Sequence, residues 1–152
     1  MNEVLVARSK GVVLDLREVI IPWFTTRVLI AVGFITAYAA SDHLAPLNRP
    51  NVLTEGLIAW DGTWYRDIAE FGYSSIAPEG LRFFPLFPLL GRAVSSVTLG
   101  RTDVALILIA NIASLFLAIA IRRLVIFERG SKELANRAVW IVCLFPGAFV
   151  LA

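Results

Sequence analysis

Residues that build metal sites and nucleophilic centres are scarce in this sequence, which has one cysteine and one histidine in 152 residues. The single cysteine, Cys143, excludes an internal disulfide. The single histidine, His43, gives little support to zinc hydrolysis or to a Ser-His triad. The sequence also lacks a glycine-rich phosphate loop, a cysteine pair at metal-ligand spacing and a Gly-x-Ser-x-Gly elbow.

Charge is scarce as well, and hydrophobic residues take its place. Charged residues make up 17% of the chain and hydrophobic residues 58%, with a mean hydropathy of +0.75. Soluble domains hold about 25% charged and about 45–50% apolar residues. The 14 basic and 12 acidic residues leave a net charge of +2, too small to attract nucleic acid. We therefore predict an integral, multi-pass membrane protein with membrane lipid, and no nucleic acid, among its partners.

The apolar runs predict an all-α, polytopic transmembrane helical bundle with a helical first external loop. Residues 28–40 are apolar apart from Thr36, and residues 104–121 contain only Asn111 and Ser114 as polar groups. The predicted order is a transmembrane helix at about 20–41, an external loop at 42–82, a membrane segment at about 83–99, a transmembrane helix at about 103–121, a basic loop at 122–137 and a transmembrane helix from 138. The run from 138 to 152 is shorter than the roughly 20 residues that cross a bilayer. We therefore expect the N-terminal part of a longer protein.

The charges of the two loops predict their sides. Loop 42–82 has six acids and three bases, a net −3, and segment 122–137 has five bases and two acids, a net +3. Basic segments stay cytoplasmic, so the acidic loop is predicted on the non-cytoplasmic side. If residues 83–99 cross the membrane, the basic segment lies on that same side. If they form a half-embedded hairpin, it lies in the cytoplasm. Both arrangements are open at this level.

A carboxylate among aromatic residues is the strongest chemical feature of the loop. Residues 61–72 predict a short helix that begins at Asp61 and stops at Gly72. Trp60, Trp64, Ile68 and Phe71 share one stripe at helical spacing, which suits either the membrane surface or the protein's own core. Asp61 is either the N-cap of this helix, worth about 1 kcal/mol, or a general base for a hydroxyl.

Three blocks of the sequence resemble a known enzyme family. Residues 60–73, WDGTWYRDIAEFGY, resemble the W-D-x-x-W/H-Y/F-x-x-I-A-x-x-G-Y stretch of PIG-V-type mannosyltransferases, which are GPI mannosyltransferase II-like enzymes. Residues 83–90, FFPLFPLL, resemble the F-F-P-x-F/Y-P-L block that follows it, and residues 144–149, LFPGAF, resemble the next block. The family pattern favours a full span at 83–99.

The resemblance implies a glycosyltransferase of the GT-C type. Such an enzyme transfers mannose, or a related hexose, from a polyprenyl-phosphate sugar to a glycan or glycolipid acceptor at the non-cytoplasmic face, with inversion. By position, the catalytic carboxylate is Asp61. The substrate-binding residues are then Trp60, Trp64 and Tyr65. Arg82 and Arg92 are the positive residues nearest the motif that could bind the leaving phosphate, and each is equally well read as an interface anchor. The lipid-phosphate sugar is the donor substrate, no cofactor is certain, and a divalent metal is left open. A second external loop beyond residue 152 would complete the pocket, so residues 1–152 alone are expected to be inactive.

A non-enzymatic polytopic membrane protein, such as a transporter segment or an assembly subunit, is the alternative. A transporter places ionisable residues inside its spans, facing a pathway. Apart from Asp103 at the start of the segment at about 103–121, the predicted membrane segments hold only Arg27 and Arg92, and half of the acids lie in the loop. We expect Arg27, near the start of the first helix, to reach the headgroups as an interface anchor.

Overall fold

The computed structural model describes residues 2–44 and 51–145. Within these ranges the chain is helical and contains no strand. The helices are α1 (Asn2–Leu44), α2 (Asn51–Glu55), α3 (Asp61–Phe71), α4 (Leu86–Ser95), α5 (Thr102–Arg129) and α6 (Lys132–Leu144). Short 3₁₀ turns lie at Gly56–Ile58, Tyr73–Ser75 and Pro78–Arg82.

Two of these helices are long and apolar enough to cross a membrane. One is the Asp15–Leu44 part of α1, and the other is α5, with 28 residues. At about 1.5 Å per residue, each exceeds the roughly 30 Å of a bilayer core. The predicted spans at 20–41 and 103–121 lie inside them. The all-helical class and the two helices of membrane length are thus confirmed.

The chain divides into two compact units, one of which comprises residues 1–32 and 112–152. Its buried core is formed by Val19 of α1, Ala118 of α5, and Val139 and Cys143 of α6. Small side chains at this centre let the three helices approach one another closely. Thr26 also donates a hydrogen bond from Oγ1 to the backbone carbonyl of Cys143, at 2.9 Å.

Helices α1 and α5 run antiparallel in this unit. Asp15 contacts Arg122 and Arg123, and Trp23 donates from Nε1 to Oγ of Ser114 at 3.0 Å. Residues further along α1 therefore contact residues earlier in α5. Arg27 also hydrogen-bonds to Ser114, and its guanidinium carbon lies 4.4 Å from the ring centroid of Trp23. Arg27 thus takes part in a contact between helices, and its role as an interface anchor stays a prediction.

A polar network joins the three helices near the start of the membrane-length part of α1. The Asp15 carboxylate pairs with Arg122 and, at 2.8 Å, with Nε of Arg123. Arg122 donates from Nε to Asn136 of α6 at 3.1 Å, and Asn136 donates to Glu18 at 3.2 Å. The Arg122 side chain is only 7% exposed. A buried guanidinium without its partner is strongly unfavourable, so this network fixes the pairing of α1 with α5.

The other unit comprises residues 33–111 and contains α3 and α4, which pack together. Helix α4 also approaches the beginning of α5 through its small residues. Pro88 and Gly91 are buried, and a Cβ placed on Gly91 would lie 2.5 Å from Cδ2 of Leu106. A larger residue at position 91 would require the Leu106 side chain to move. The geometry fixes α4 beside the first turns of α5.

Two predicted segments have a different extent in the structure. Within 83–99 the helix covers only Leu86–Ser95, ten residues or about 15 Å, roughly half the thickness of the bilayer core. The basic segment 122–137 is mostly helical, because α5 continues to Arg129 and α6 begins at Lys132. Residues 146–152, which include most of the third resemblance block, lie outside the described residues.

We expect Asp15→Asn to lower the stability of the protein, because Arg122 would keep its charge and lose its carboxylate. Removing one partner of a buried ion pair costs about 3–5 kcal/mol. Because Arg122 keeps its hydrogen bond to Asn136, we expect a loss of stability near the lower end of that range. The thermal unfolding midpoint of the purified protein in detergent measures the effect.

Glu133→Gln is the matched control, because Glu133 pairs with Arg137 on the surface, where both side chains are more than 70% exposed. It should leave the midpoint nearly unchanged. Equal midpoints for the two variants would contradict the structural importance of the Asp15 network.

Candidate functional site

Helix α3 begins behind a residue with an unusual backbone conformation. Trp60 has φ 60° and ψ −120°, and a non-glycine residue with positive φ is uncommon. Such a residue costs of order 1–3 kcal/mol and persists only where its surroundings impose it. Here the Thr63 hydroxyl donates to the Trp60 carbonyl at 2.7 Å. The conformation leaves the Trp60 side chain 66% exposed.

Asp61 is the first residue of α3 and not its cap. The N-cap position belongs to Trp60, which makes no side-chain capping bond, so the N-cap prediction for Asp61 is wrong. In the ranges 2–44 and 51–145, the exposed Asp61 carboxylate has no hydrogen-bond or ion-pair partner. Its negative charge is favoured by the positive end of the helix dipole. The carboxylate oxygens are therefore free to accept a proton or a hydrogen bond from a ligand.

An aromatic cluster fastens α3 to the segment that leads into α4. Trp64 stacks on Phe83, with ring centroids 6.1 Å apart and planes 20° apart. Tyr65 meets Phe83 and Phe87 edge to face, each with centroids 5.0 Å apart. Such aromatic pairs contribute about 0.5–1.5 kcal/mol beyond their buried area. The cluster thus joins two of the blocks that carry the family resemblance.

Two further residues position this cluster and were missed by the sequence analysis. The Tyr73 hydroxyl donates to the Phe83 carbonyl at 2.6 Å. Gly80 lies under Trp64, because a Cβ placed on Gly80 would be 2.8 Å from Cε3 of that ring. Tyr73 stood inside the first resemblance block as a possible signal. Nothing in the sequence distinguished Gly80 from the other nine glycines.

The predicted aromatic stripe divides between core and surface. Ile68 is buried and Trp64 is half-buried, whereas Trp60 and Phe71 are 66% and 63% exposed. The core reading therefore applies to the middle of the stripe, and the membrane-surface reading stays a prediction for its exposed ends. The middle of the helix packs against the protein, and its ends present large apolar side chains outward. Gly72, with φ 79°, ends the helix as predicted.

The two candidate phosphate-binding arginines are in different settings. Arg82 is exposed and lies with its guanidinium carbon 5.3 Å from the ring centroid of Phe83, at the edge of the aromatic cluster. Arg92 is exposed on α4 and takes no part in the ring contacts between α3 and α4. The structure thus joins Arg82, Trp64 and Tyr65 through Phe83. Asp61 and Trp60 lie at the start of the same helix as Trp64.

No protein-family model, curated protein or solved structure matches the chain. In the described ranges, no group of three or more His, Cys, Asp or Glu residues is arranged to hold a metal ion.

We expect Tyr73→Phe to loosen the segment around Phe83, because it removes the hydroxyl that holds the Phe83 carbonyl. A hydrogen bond of this kind contributes about 0.5–1.5 kcal/mol. Hydrogen exchange of the amides at 80–87 should become faster by a factor of about 2–12, which is that free energy converted at 1.4 kcal/mol per tenfold.

Tyr65→Phe is the matched control, since the recorded contacts of Tyr65 use its ring. It keeps those contacts and should leave exchange at 80–87 unchanged. If Tyr65→Phe speeds exchange as much as Tyr73→Phe does, the hydrogen bond to Phe83 is not what holds this segment.

Proposed function

We propose that this chain forms part of a membrane glycosyltransferase. The reaction is the transfer of a mannosyl or related hexosyl residue from a polyprenyl-phosphate sugar to an acceptor hydroxyl at the non-cytoplasmic face. The observation that carries the proposal is the exposed, unpartnered Asp61 carboxylate at the start of α3. Strained residues concentrate at functional sites, and the strained Trp60 immediately precedes Asp61. The resemblance of residues 60–73 and 83–90 to PIG-V-type enzymes supplies the type of reaction.

In this proposal Asp61 is the general base. The oxygen of the acceptor hydroxyl attacks the anomeric carbon from the face opposite the phosphate. The bond from that carbon to the phosphate oxygen breaks, and the lipid phosphate leaves with the electron pair. The hydroxyl proton passes to the Asp61 carboxylate. One displacement inverts the anomeric centre, and a positioned base of this kind contributes typically 10²–10⁴-fold to the rate.

The surroundings of Asp61 suit a donor with a charged head and a lipid tail. Arg82, exposed at the edge of the aromatic cluster, is the candidate to bind the leaving phosphate through charge-assisted hydrogen bonds. Trp60 and Phe71 expose large apolar side chains at the two ends of α3, and such residues favour the membrane interface. The net charge of −3 on residues 42–82 supports a non-cytoplasmic position for this site.

A non-enzymatic membrane protein is the second candidate, and Arg27 is the residue that favours it. An ionisable residue inside a membrane helix is by default a functional-site hypothesis. However, Arg27 lies over Trp23 and donates to Ser114, which serves the pairing of α1 with α5. The enzyme proposal requires Asp61, and the alternative does not, so substitution of Asp61 separates the two.

Asp61→Asn in the intact protein tests the proposed base. The substitution preserves the size of the side chain and removes its ability to take a proton. Sugar transfer from the lipid donor should fall by about 10²–10⁴-fold. Stability should change little, because the lost interaction with the helix dipole is worth about 0.3–1 kcal/mol. Turnover per folded molecule in proteoliposomes is the measurement.

Asp67→Asn is the control for the same substitution on the same helix. Asp67 pairs with Arg66 at 3.1 Å, with both side chains more than a third exposed, so this change should have little effect on transfer. Similar small effects of both substitutions would refute the assignment of Asp61 as the base.

The two tryptophans of α3 should respond differently to truncation. Trp64→Ala removes the stack on Phe83 and should lower stability by about 2 kcal/mol. Trp60→Ala removes an exposed ring and should leave stability nearly unchanged. If Trp60 contacts the lipid donor, its loss should raise the donor KM about tenfold, because partial burial of a large side chain contributes somewhat over 1 kcal/mol. Unfolding midpoints and donor titrations distinguish these effects, and an unchanged donor KM for Trp60→Ala would exclude the lipid contact.

A further inference from the structure

Helix α4 has one face that packs on protein and another that is apolar and open. Its packed face contains Pro88 and Gly91, which are buried. Three large apolar residues of the helix are strongly exposed, namely Leu86 at 68%, Leu89 at 59% and Leu90 at 43%. Apolar residues just outside the helix are exposed as well, and these are Phe84 at 82%, Val97 at 78% and Leu99 at 95%. Leu86, Leu89 and Leu90 share one side of the helix by their spacing, and an exposed apolar surface of this kind marks an interaction site.

The position of α4 along α5 fixes its depth relative to a membrane. Gly91 contacts Leu106, which lies four residues after the start of α5, or about 6 Å along its axis. Helix α5 is about 42 Å long by the same rise, and its 28 residues form one of the two helices of membrane length. Helix α4 therefore lies beside the end of α5 and not beside its middle. That end is where an aqueous phase meets the bilayer.

The antiparallel pairing of α1 and α5 limits how many times the chain between them can cross the membrane. Asp15, at the start of the membrane-length part of α1, pairs with Arg122 near the end of α5. If both helices cross the membrane, the second therefore returns the chain to the side from which the first left. A single full crossing at 83–99 would instead make α1 and α5 cross in the same direction. The contacts between Asp15 and Arg122, and between Trp23 and Ser114, exclude that arrangement.

We infer that α4 does not cross the membrane and that its exposed apolar face is embedded in the lipid leaflet on the side of residues 51–82. Its ten residues match an interfacial helix better than a span of about 20. Arg92 is exposed on this short helix, where its long side chain reaches the phosphate level of that leaflet. The inference rests on α1 and α5 crossing the bilayer and is independent of the proposed transfer reaction.

The charge distribution gives independent support. With α4 at the interface, the acidic residues 51–82 and the basic segment 122–137 lie on opposite sides of the membrane. This is the distribution that the positive-inside rule favours, with the basic segment in the cytoplasm. With a full crossing at 83–99 they would share a side, so the placement of α4 removes the conflict between the loop charges.

Three single cysteines in the intact protein, on a Cys143→Ala background, test the topology. Ser74→Cys lies before α4, Arg101→Cys lies between α4 and α5, and Arg129→Cys lies at the end of α5. In sealed vesicles, a membrane-impermeant maleimide should reach positions 74 and 101 from the same side and position 129 from the other. If positions 74 and 129 are labelled from one side and position 101 from the other, residues 83–99 cross the membrane and the inference is overturned. Labelling of all three from one side would overturn it as well.

A depth measurement tests the lipid contact itself. A spin label at Leu89→Cys should be accessible to oxygen, as in lipid, and should lie shallower than a label at Ile112→Cys. Ile112 is the matched control because it is 53% exposed on α5, ten residues from its start. A label at 89 that is as deep as the label at 112, or that is accessible only to a water-soluble nickel chelate, would overturn the interfacial placement.

Discussion

A carboxylate held between two arginines determines how the long helices pair. Asp15 contacts Arg122 and Arg123, and Arg122 is buried almost completely. A buried guanidinium needs a carboxylate partner, because leaving its charge unpaired costs several kcal/mol. The network through Asn136 to Glu18 extends the constraint to α6. With this register set, small residues such as Ala118 and Cys143 meet in the core, and α1 and α5 run antiparallel.

The candidate site depends on a different kind of contact. The Phe83 ring stacks with Trp64 and meets Tyr65 edge to face, and the Tyr73 hydroxyl donates a hydrogen bond to the Phe83 carbonyl. This packing uses the middle of α3 for stability and leaves the beginning of the helix exposed. Asp61 is consequently both well positioned and without a partner among the described residues. In the proposed reaction, α3 presents this carboxylate to the acceptor, beside the exposed ring of Trp60.

Much of the fold could be predicted from local patterns. The apolar runs at 20–41 and 103–121 located the two helices of membrane length, and Gly72 marked the end of α3. The residue types of the site were also visible, because an aspartate between Trp60 and Gly62 stands out in an apolar chain. The start of α3 at Asp61 was predicted, but its N-cap was not, since a tryptophan with positive φ at the N-cap contradicts ordinary preferences. The extent of α4 was obscured by an apolar run that exceeds the helix at both ends.

The sequence alone determined the helical class, the sites of the long helices and the concentration of acidic residues in one segment. Each of these follows from composition or from spacing within a few turns. Only the tertiary structure decided which residues meet across the chain. Asp15 and Arg122 are 107 positions apart, and Gly91 lies against the side chain of Leu106. The hydropathy of a segment shows whether it can lie in lipid. Which helices pair, and in which direction they run, depends on contacts between side chains far apart in sequence, and no local pattern predicts those contacts.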